Sequence, residues 1–75
     1  MSRRELPSCL IGAGMLGHTW LVTRLDKEGN ECLLGEMSDG ASAATFFDEE
    51  PSALRIFTRH RKSWKEVSRA MAVIS

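Results

Sequence analysis

Features that often reveal the class of a protein are missing from this chain of 75 residues. Its two cysteines, Cys9 and Cys32, are too few for a disulfide framework. Neither a Cys-x2-Cys nor a His-x3–5-His spacing occurs, so we expect no metal site. No apolar run approaches the ~18 residues of a membrane span, so we expect no contact with a membrane.

The chain also lacks the residue combinations that enzymes need. No local pattern joins the cysteines to His18 or His60 as a nucleophile with its base. The neighbouring carboxylates of Asp48 and Glu49 occur in a chain too small to place them easily on two sides of a cleft. We therefore expect that the protein is not an enzyme and that it acts by binding.

The length allows one domain, residues 1–75, with a small core. Dimerisation commonly compensates for such a core, so we expect a homodimer. Residues 1–8, which include several charges and Pro7, predict a flexible lead-in. The apolar run that follows is broken at once by glycines and does not resemble a signal peptide. We therefore expect a cytoplasmic protein with both thiols reduced.

The charged residues cancel in number but are sorted along the sequence. Ten basic and ten acidic side chains give a net charge of zero, whereas a domain that binds nucleic acid over its whole surface is usually basic. Residues 26–50 hold eight acids against Lys27 alone, and residues 51–75 hold six bases against Glu66 alone. This distribution predicts two surfaces of opposite charge, unless the segments neutralise each other within the fold or across a dimer.

The stretch from Leu10 to Glu36 is compatible with two folds. In the first, residues 19–25 and 31–37 are the strands of a β-hairpin. β-Branched residues and a tryptophan favour a strand in the first of these segments. An aspartate starts the intervening turn, and Gly29 suits the left-handed position that closes it. We prefer the hairpin.

The alternative is a strand–helix–strand unit, because residues 9–36 resemble the dinucleotide-binding Rossmann motif. Gly12, Gly14 and Gly17 form a GxGxxG fingerprint after a short apolar run, and Glu36 follows about 20 residues later. The resemblance implies that the glycines admit a pyrophosphate to a helix N-terminus and that Glu36 binds a ribose hydroxyl. The β-branched segment after the glycines and the short remainder of the chain favour the hairpin, so we expect no cofactor.

The middle of the chain predicts a helix and a further strand. Asp39 or Ser38 is suited to cap a short helix over residues 41–47. The acidic run Asp48–Pro51 predicts an exposed turn. Alternation of apolar and charged residues over 53–59 then predicts a third strand, although the spacing of Leu54, Phe57, Arg61 and Trp64 also suits a helix.

The C-terminal segment predicts a second helix. Ser63 and Glu66 form the S-x-x-E pattern of a capping box, so we expect this helix to begin at Ser63. Trp64 and Met71 would then lie on one apolar stripe. The predicted fold is a single α+β domain, in which a small antiparallel sheet made of the hairpin and a third strand has helices packed on one face.

Two charged segments are the candidate partner-binding surfaces. The first is acidic, and its carboxylates could take the place of phosphates in a basic channel. Its residues are Asp39, Asp48, Glu49 and Glu50. The second is basic and includes an aromatic residue, which suits phosphate contact and base stacking. Its residues are Arg59, Arg61, Lys62 and Trp64, with Lys65 adjacent.

In length, α+β layout and sorted charge, this chain resembles the anti-CRISPR proteins, small phage-encoded inhibitors of bacterial machinery. The resemblance is one of size and layout. It implies a non-catalytic inhibitor that binds a bacterial protein or nucleoprotein complex, such as a CRISPR effector, and occludes a surface meant for nucleic acid. The alternative is a small regulator that binds nucleic acid directly through the basic segment.

Overall fold

The computed structural model describes residues 6–14 and 17–74 and contains a four-stranded antiparallel sheet with two helices. A short 3₁₀ helix, Ser8–Leu10, precedes the sheet. The other elements are β1 (Trp20–Leu25), β2 (Glu31–Met37), α1 (Gly40–Glu49), β3 (Ala53–His60), β4 (Ser63–Val67) and α2 (Arg69–Ile74). The strand order across the sheet is β2-β1-β3-β4, which confirms the predicted α+β class and adds a fourth strand. Within the described residues, neither helix is long and apolar enough to cross a membrane.

The predicted β1–β2 hairpin is confirmed, and hydrogen bonds within its turn stabilise it. Asp26 Oδ1 accepts hydrogen bonds from the backbone N–H groups of Glu28 and Asn30, each at 2.9 Å. Gly29 has a φ of 84°, a left-handed conformation that glycine adopts without steric cost. The strand–helix–strand alternative is wrong, since the segment after the glycines, which it places in a helix, forms β1 and pairs with β2 in antiparallel fashion.

Helix α1 begins where the sequence predicts. Asp39 is the N-cap residue, and its side chain accepts a hydrogen bond from the backbone N–H of Ser42 at 2.7 Å. Ala43 and Ala44 are buried, and their small side chains let the helix lie close to the sheet. The helix extends further than expected, to Glu49, so the predicted acidic turn begins inside its last turn.

The predicted start of the last helix is wrong. Residues 63–67 form β4, an edge strand antiparallel to β3. The S-x-x-E pattern therefore lies in a strand, and the Glu66 carboxylate accepts a hydrogen bond from Arg55 at 3.2 Å. The expected apolar stripe is divided, because Trp64 belongs to the sheet while Met71 is exposed on α2.

Both faces of the sheet are covered at its centre, although the helices lie on only one, as predicted. The helix-side cluster consists of Trp20, Val22, Ala43, Ala44, Ile56 and Ala72. The cluster on the opposite face consists of Leu10, Leu21 and Phe57. The segment 6–14 lies against this second cluster through Leu10, and each fully buried large apolar side chain there is worth ~1.5–3 kcal/mol. Residues 1–5 of the predicted lead-in lie outside the described residues, and Ser8 already belongs to the 3₁₀ helix.

We expect Gly40→Ala to destabilise the protein, because α1 and α2 meet at this glycine. A Cβ atom there would overlap the carbonyl oxygen of Ala72 and would lie 3.0 Å from the Trp20 ring. A backbone carbonyl cannot turn aside as a side chain can, so we expect a loss of ~1–3 kcal/mol in the free energy of unfolding, measured with urea. Thr45→Ala, on the exposed side of the same helix, is the control and should change stability by less than ~0.5 kcal/mol. Wild-type stability of Gly40→Ala would contradict this packing.

Candidate functional site

The β3–β4 hairpin carries the basic segment and ends in a two-residue loop. His60 and Ser63 are the last paired residues, so Arg61 and Lys62 form the loop. The turns that suit such loops need a positive φ at their first central position, where glycine is preferred. Arg61 occupies that position with a φ of 60°, which costs a non-glycine residue ~1–2 kcal/mol. The chain therefore keeps a cation at a position where glycine would be more stable.

We refer to the segment Arg59–Lys65 as the basic hairpin. Its four cationic residues are Arg59, Arg61, Lys62 and Lys65. All four are exposed, and none forms an ion pair within residues 6–14 and 17–74. The other two basic residues of the C-terminal third, Arg55 and Arg69, do form ion pairs. Unneutralised positive charge is therefore concentrated on this hairpin.

A cleft of about 510 Å³ opens on the helix-side face of the basic hairpin. The residues that line it are Thr58, His60, Arg61, Ser63, Lys65 and Val67. Residues two apart on a strand point to the same face, so the pairing of β3 with β4 brings these side chains together. Two cations, an imidazole and two hydroxyls converge there, and these lining residues include no carboxylate. The hydroxyls of Thr58 and Ser63 were not predicted as part of this site, because the S-x-x-E pattern placed Ser63 at the start of a helix.

Arg59 and Trp64 lie on the opposite face of the hairpin. They are paired across the two strands, and the Arg59 guanidinium carbon is 5.8 Å from the centroid of the Trp64 ring. Trp64 also packs against the cluster of Leu10, Leu21 and Phe57 and contacts the segment 6–14, where a Cβ atom on Gly14 would lie 2.7 Å from Trp64 Cζ2. Gly14 is therefore the site of a close approach by an indole. Trp64, predicted as a stacking residue for bases, is half-buried and holds the N-terminal segment to the sheet.

Two of the four acidic candidates have structural partners. Hydrogen bonds from Ser42 lower the pKa of Asp39, which caps α1. Asp48 accepts three hydrogen bonds from Arg69 on α2, at 3.0, 3.0 and 2.6 Å. These bonds lower the pKa of Asp48 and tie the two helices together. Both carboxylates therefore have a role within the fold.

The other two acidic candidates lie at the C-terminal end of α1. Glu49 is exposed in the last turn of the helix, and Glu50 is its half-buried C-cap residue. Negative charge at this position opposes the helix dipole, so the placement of Glu49 brings no benefit to the helix. Glu49 also lines an open groove beside Met37 and Phe46. Of the acidic candidates, Glu49 is the one best placed to meet a partner.

The strand register separates acidic and basic residues in space. Trp20 pairs with Thr58 at the end of the sheet that carries the basic hairpin. Arg24 pairs with Ala53 at the other end, which also holds the acidic β1–β2 turn and the C-terminal end of α1. The sorted charge of the sequence thus becomes a basic end and an acidic end of the molecule, with Asp39 as the acidic candidate near the basic end.

A partly buried charged group on the sheet face opposite the helices was not predicted. Arg55 donates hydrogen bonds to the carboxylates of Glu31 and Glu66, and Thr23 donates to Glu31. The side chains of Arg55 and Glu31 are 12% and 13% exposed, and hydrogen bonding to Glu31 raises the pKa of Arg55. The guanidinium carbon also lies 4.9 Å from the centroid of the Phe57 ring. Removing Arg55 would take from the partly buried Glu31 carboxylate its ion pair, so the group has a structural role.

Cys9, Cys32 and Glu36 have contacts typical of structural residues. Glu36 is the acid that the Rossmann resemblance assigns to a ribose hydroxyl. Within the described residues, no three His, Cys, Asp or Glu side chains gather as a metal site. Burial raises the pKa of Cys9, and the Cys32 sulfur accepts a hydrogen bond from Arg24 at 3.7 Å. Both cysteines are free thiols. The Glu36 carboxylate lies 3.6 Å from His18 Nδ1.

Taken together, the cations and hydroxyls of the basic hairpin are the donor set that binds phosphate oxygens and similar anions. They lie on an exposed β-ribbon held to the body of the protein by β3 and Trp64. Comparisons with protein-family models, with curated proteins and with solved structures find no match for this chain.

Proposed function

We propose that this chain is a non-catalytic binding protein that contacts the phosphates of nucleic acid through the basic hairpin. The observation that carries the proposal is the cluster of four exposed cations with no carboxylate partner in the described part of the chain. Lysine and arginine side chains that neutralise phosphates release counterions, and this release supplies most of the affinity of such contacts. Arg61 places a positive charge on the two-residue loop although its positive φ is unfavourable for arginine, which supports the same conclusion.

The zero net charge of the chain does not oppose this function. The basic and acidic ends are separated by the length of β3, which has eight residues and is about 23 Å long at ~3.3 Å per residue. The Debye length at physiological salt is ~8 Å, so the acidic end is largely screened from a ligand at the basic end. A nucleic acid at the hairpin therefore meets the local positive charge.

Replacing Lys62 tests this role directly. Lys62→Ala removes one cation from the loop, so we expect weaker binding of DNA and a slope of log K against log salt that is smaller in magnitude by ~0.7–0.9. Fluorescence anisotropy over a series of salt concentrations measures both. Lys27→Ala removes an equally exposed lysine at the acidic end and should leave affinity and slope unchanged. Equal effects of the two variants would contradict a localised site.

Arg61→Gly distinguishes an effect on stability from an effect on binding, because we expect the free energy of unfolding and the affinity for DNA to change in opposite directions. Glycine relieves the left-handed strain, so we expect the free energy of unfolding to rise by ~1 kcal/mol. The loss of a cation should at the same time weaken DNA binding several-fold. Urea denaturation and anisotropy on the same samples measure the two effects. A variant that is more stable and binds DNA as well as the wild type would refute a role for Arg61 in binding.

A second candidate function is inhibition of a bacterial protein or nucleoprotein complex, in the manner of the anti-CRISPR proteins, through the acidic end. The observation that favours it is the exposed Glu49, which opposes the helix dipole and lines the groove beside Met37 and Phe46. An acidic group beside apolar side chains suits a basic protein surface. For the expected homodimer, the exposed Met71 and Ile74 of α2 offer a surface that a second copy could cover.

For this second candidate, we expect the double variant Glu49→Ala, Glu50→Ala to lose capture of a bacterial partner in pull-downs from lysate. The Asp48–Arg69 bonds remain intact in this variant, so its circular dichroism spectrum and unfolding midpoint should match the wild type. The control is Glu28→Ala, which removes an exposed acid from the β1–β2 turn and should preserve capture. Unchanged capture by the double variant would exclude the acidic end as the binding surface. Light scattering of the same samples measures the molar mass and so tests the expected homodimer.

A further inference from the structure

We propose that the cleft on the helix-side face of the basic hairpin holds one unpaired nucleotide, so that the protein binds single-stranded nucleic acid in preference to duplex. The inference rests on the proposed function of the hairpin and names the form of nucleic acid that it recognises. The cleft is lined from both strands of the hairpin and from its loop.

The polar part of the lining suits a phosphate. Arg61 and Lys65 supply two positive charges, and Ser63 lies between them in sequence with a hydroxyl that can donate a hydrogen bond. The Thr58 hydroxyl donates to the carbonyl oxygen of Thr19 at 3.2 Å, so toward a ligand in the cleft it can act only as an acceptor. The donors match the oxygens of a phosphate, and the acceptor matches the exocyclic amino group of a base.

The size and the remaining lining suit a base as well as a phosphate. A volume of about 510 Å³ is within the ~300–1,000 Å³ of sites for small organic ligands and exceeds what a phosphate group alone requires. The His60 imidazole and the Arg61 guanidinium are flat groups on which bases stack in complexes with single strands. Val67 supplies an apolar wall at the inner end of the cleft.

The position of the cleft favours an unpaired base. It lies on one side of a two-stranded ribbon, whereas the indole of Trp64 lies on the other side, beside Arg59 and Gly14, and lines a pocket with the segment 6–14. The cleft is the site that combines two cations with an imidazole. A base in a duplex is already stacked and paired, and it would have to be unpaired and turned out before it could enter.

The test compares the two forms of DNA on the full chain. A fluorescein-labelled single strand of about 30 nucleotides and a duplex of about 15 base pairs, which has the same number of phosphates, are titrated by anisotropy at one salt concentration. We expect the single strand to bind about tenfold more tightly, as one additional stacked base would produce. Equal salt-dependent binding of both forms would overturn this inference and leave the proposed function standing. Binding of neither form would overturn the proposed function itself.

Two variants with the same loss of charge locate the preference. Lys65→Ala changes the cleft, and Lys62→Ala changes the loop outside it. We expect Lys65→Ala to reduce the tenfold preference to nearly one, and Lys62→Ala to weaken both forms equally and preserve the preference. His60→Ala should also reduce the preference, and it does so without removing a lysine or arginine. Circular dichroism verifies that each variant is folded. A preference that survives both Lys65→Ala and His60→Ala would show that the cleft is not its source.

Discussion

The antiparallel pairing of β1 with β3 is the constraint on which the rest of the structure depends. Val22 lies opposite Ile56 beneath the helices, and Leu21 lies opposite Phe57 beneath the segment 6–14. One pair of central strands therefore supplies both hydrophobic clusters. Because side chains alternate between faces, a slip by one residue would exchange the two sets, so the register is strongly specified.

The same register determines the distribution of charge over the molecule. Because Trp20 pairs with Thr58, the basic hairpin and the acidic β1–β2 turn lie at opposite ends of the sheet. Helix α1 then runs from the basic end to the acidic end, which places its acidic C-terminus beside that turn. Part of the charge is nevertheless neutralised within the fold, through Arg55 with Glu31 and Arg69 with Asp48. What remains unneutralised is concentrated at the two ends.

Two positions depart from the local rules of stability. Arg61 takes a left-handed conformation that glycine would adopt at no cost, and Glu49 places negative charge at the C-terminal end of a helix. Neither has an ion-pair partner in the described part of the chain. By contrast, Asp39 and Asp48, which belong to the same acidic candidates, have structural partners. Asp39 caps α1, and Asp48 joins α1 to α2. Function is to be expected at such positions, because elsewhere in natural proteins the local preference of a residue usually agrees with the tertiary structure.

Several elements follow from signals that act within a few residues of the sequence. The aspartate and glycine of the β1–β2 turn specify that hairpin, because their hydrogen bonds and backbone conformation need no distant partner. Asp39 specifies the start of α1 in the same way. The alternation over residues 53–59 likewise identified β3, to within one residue.

The identity of β4, and with it the candidate site, depends on tertiary contacts. The segment 63–67 satisfies a capping-box pattern and could begin a helix, but pairing with β3 and the packing of Trp64 against Gly14 stabilise a strand. These contacts join residues that are distant in sequence, so no local pattern reveals them. The basic residues were evident from composition, whereas the cleft that groups Arg61 and Lys65 with hydroxyls and an imidazole exists only once β3 and β4 pair.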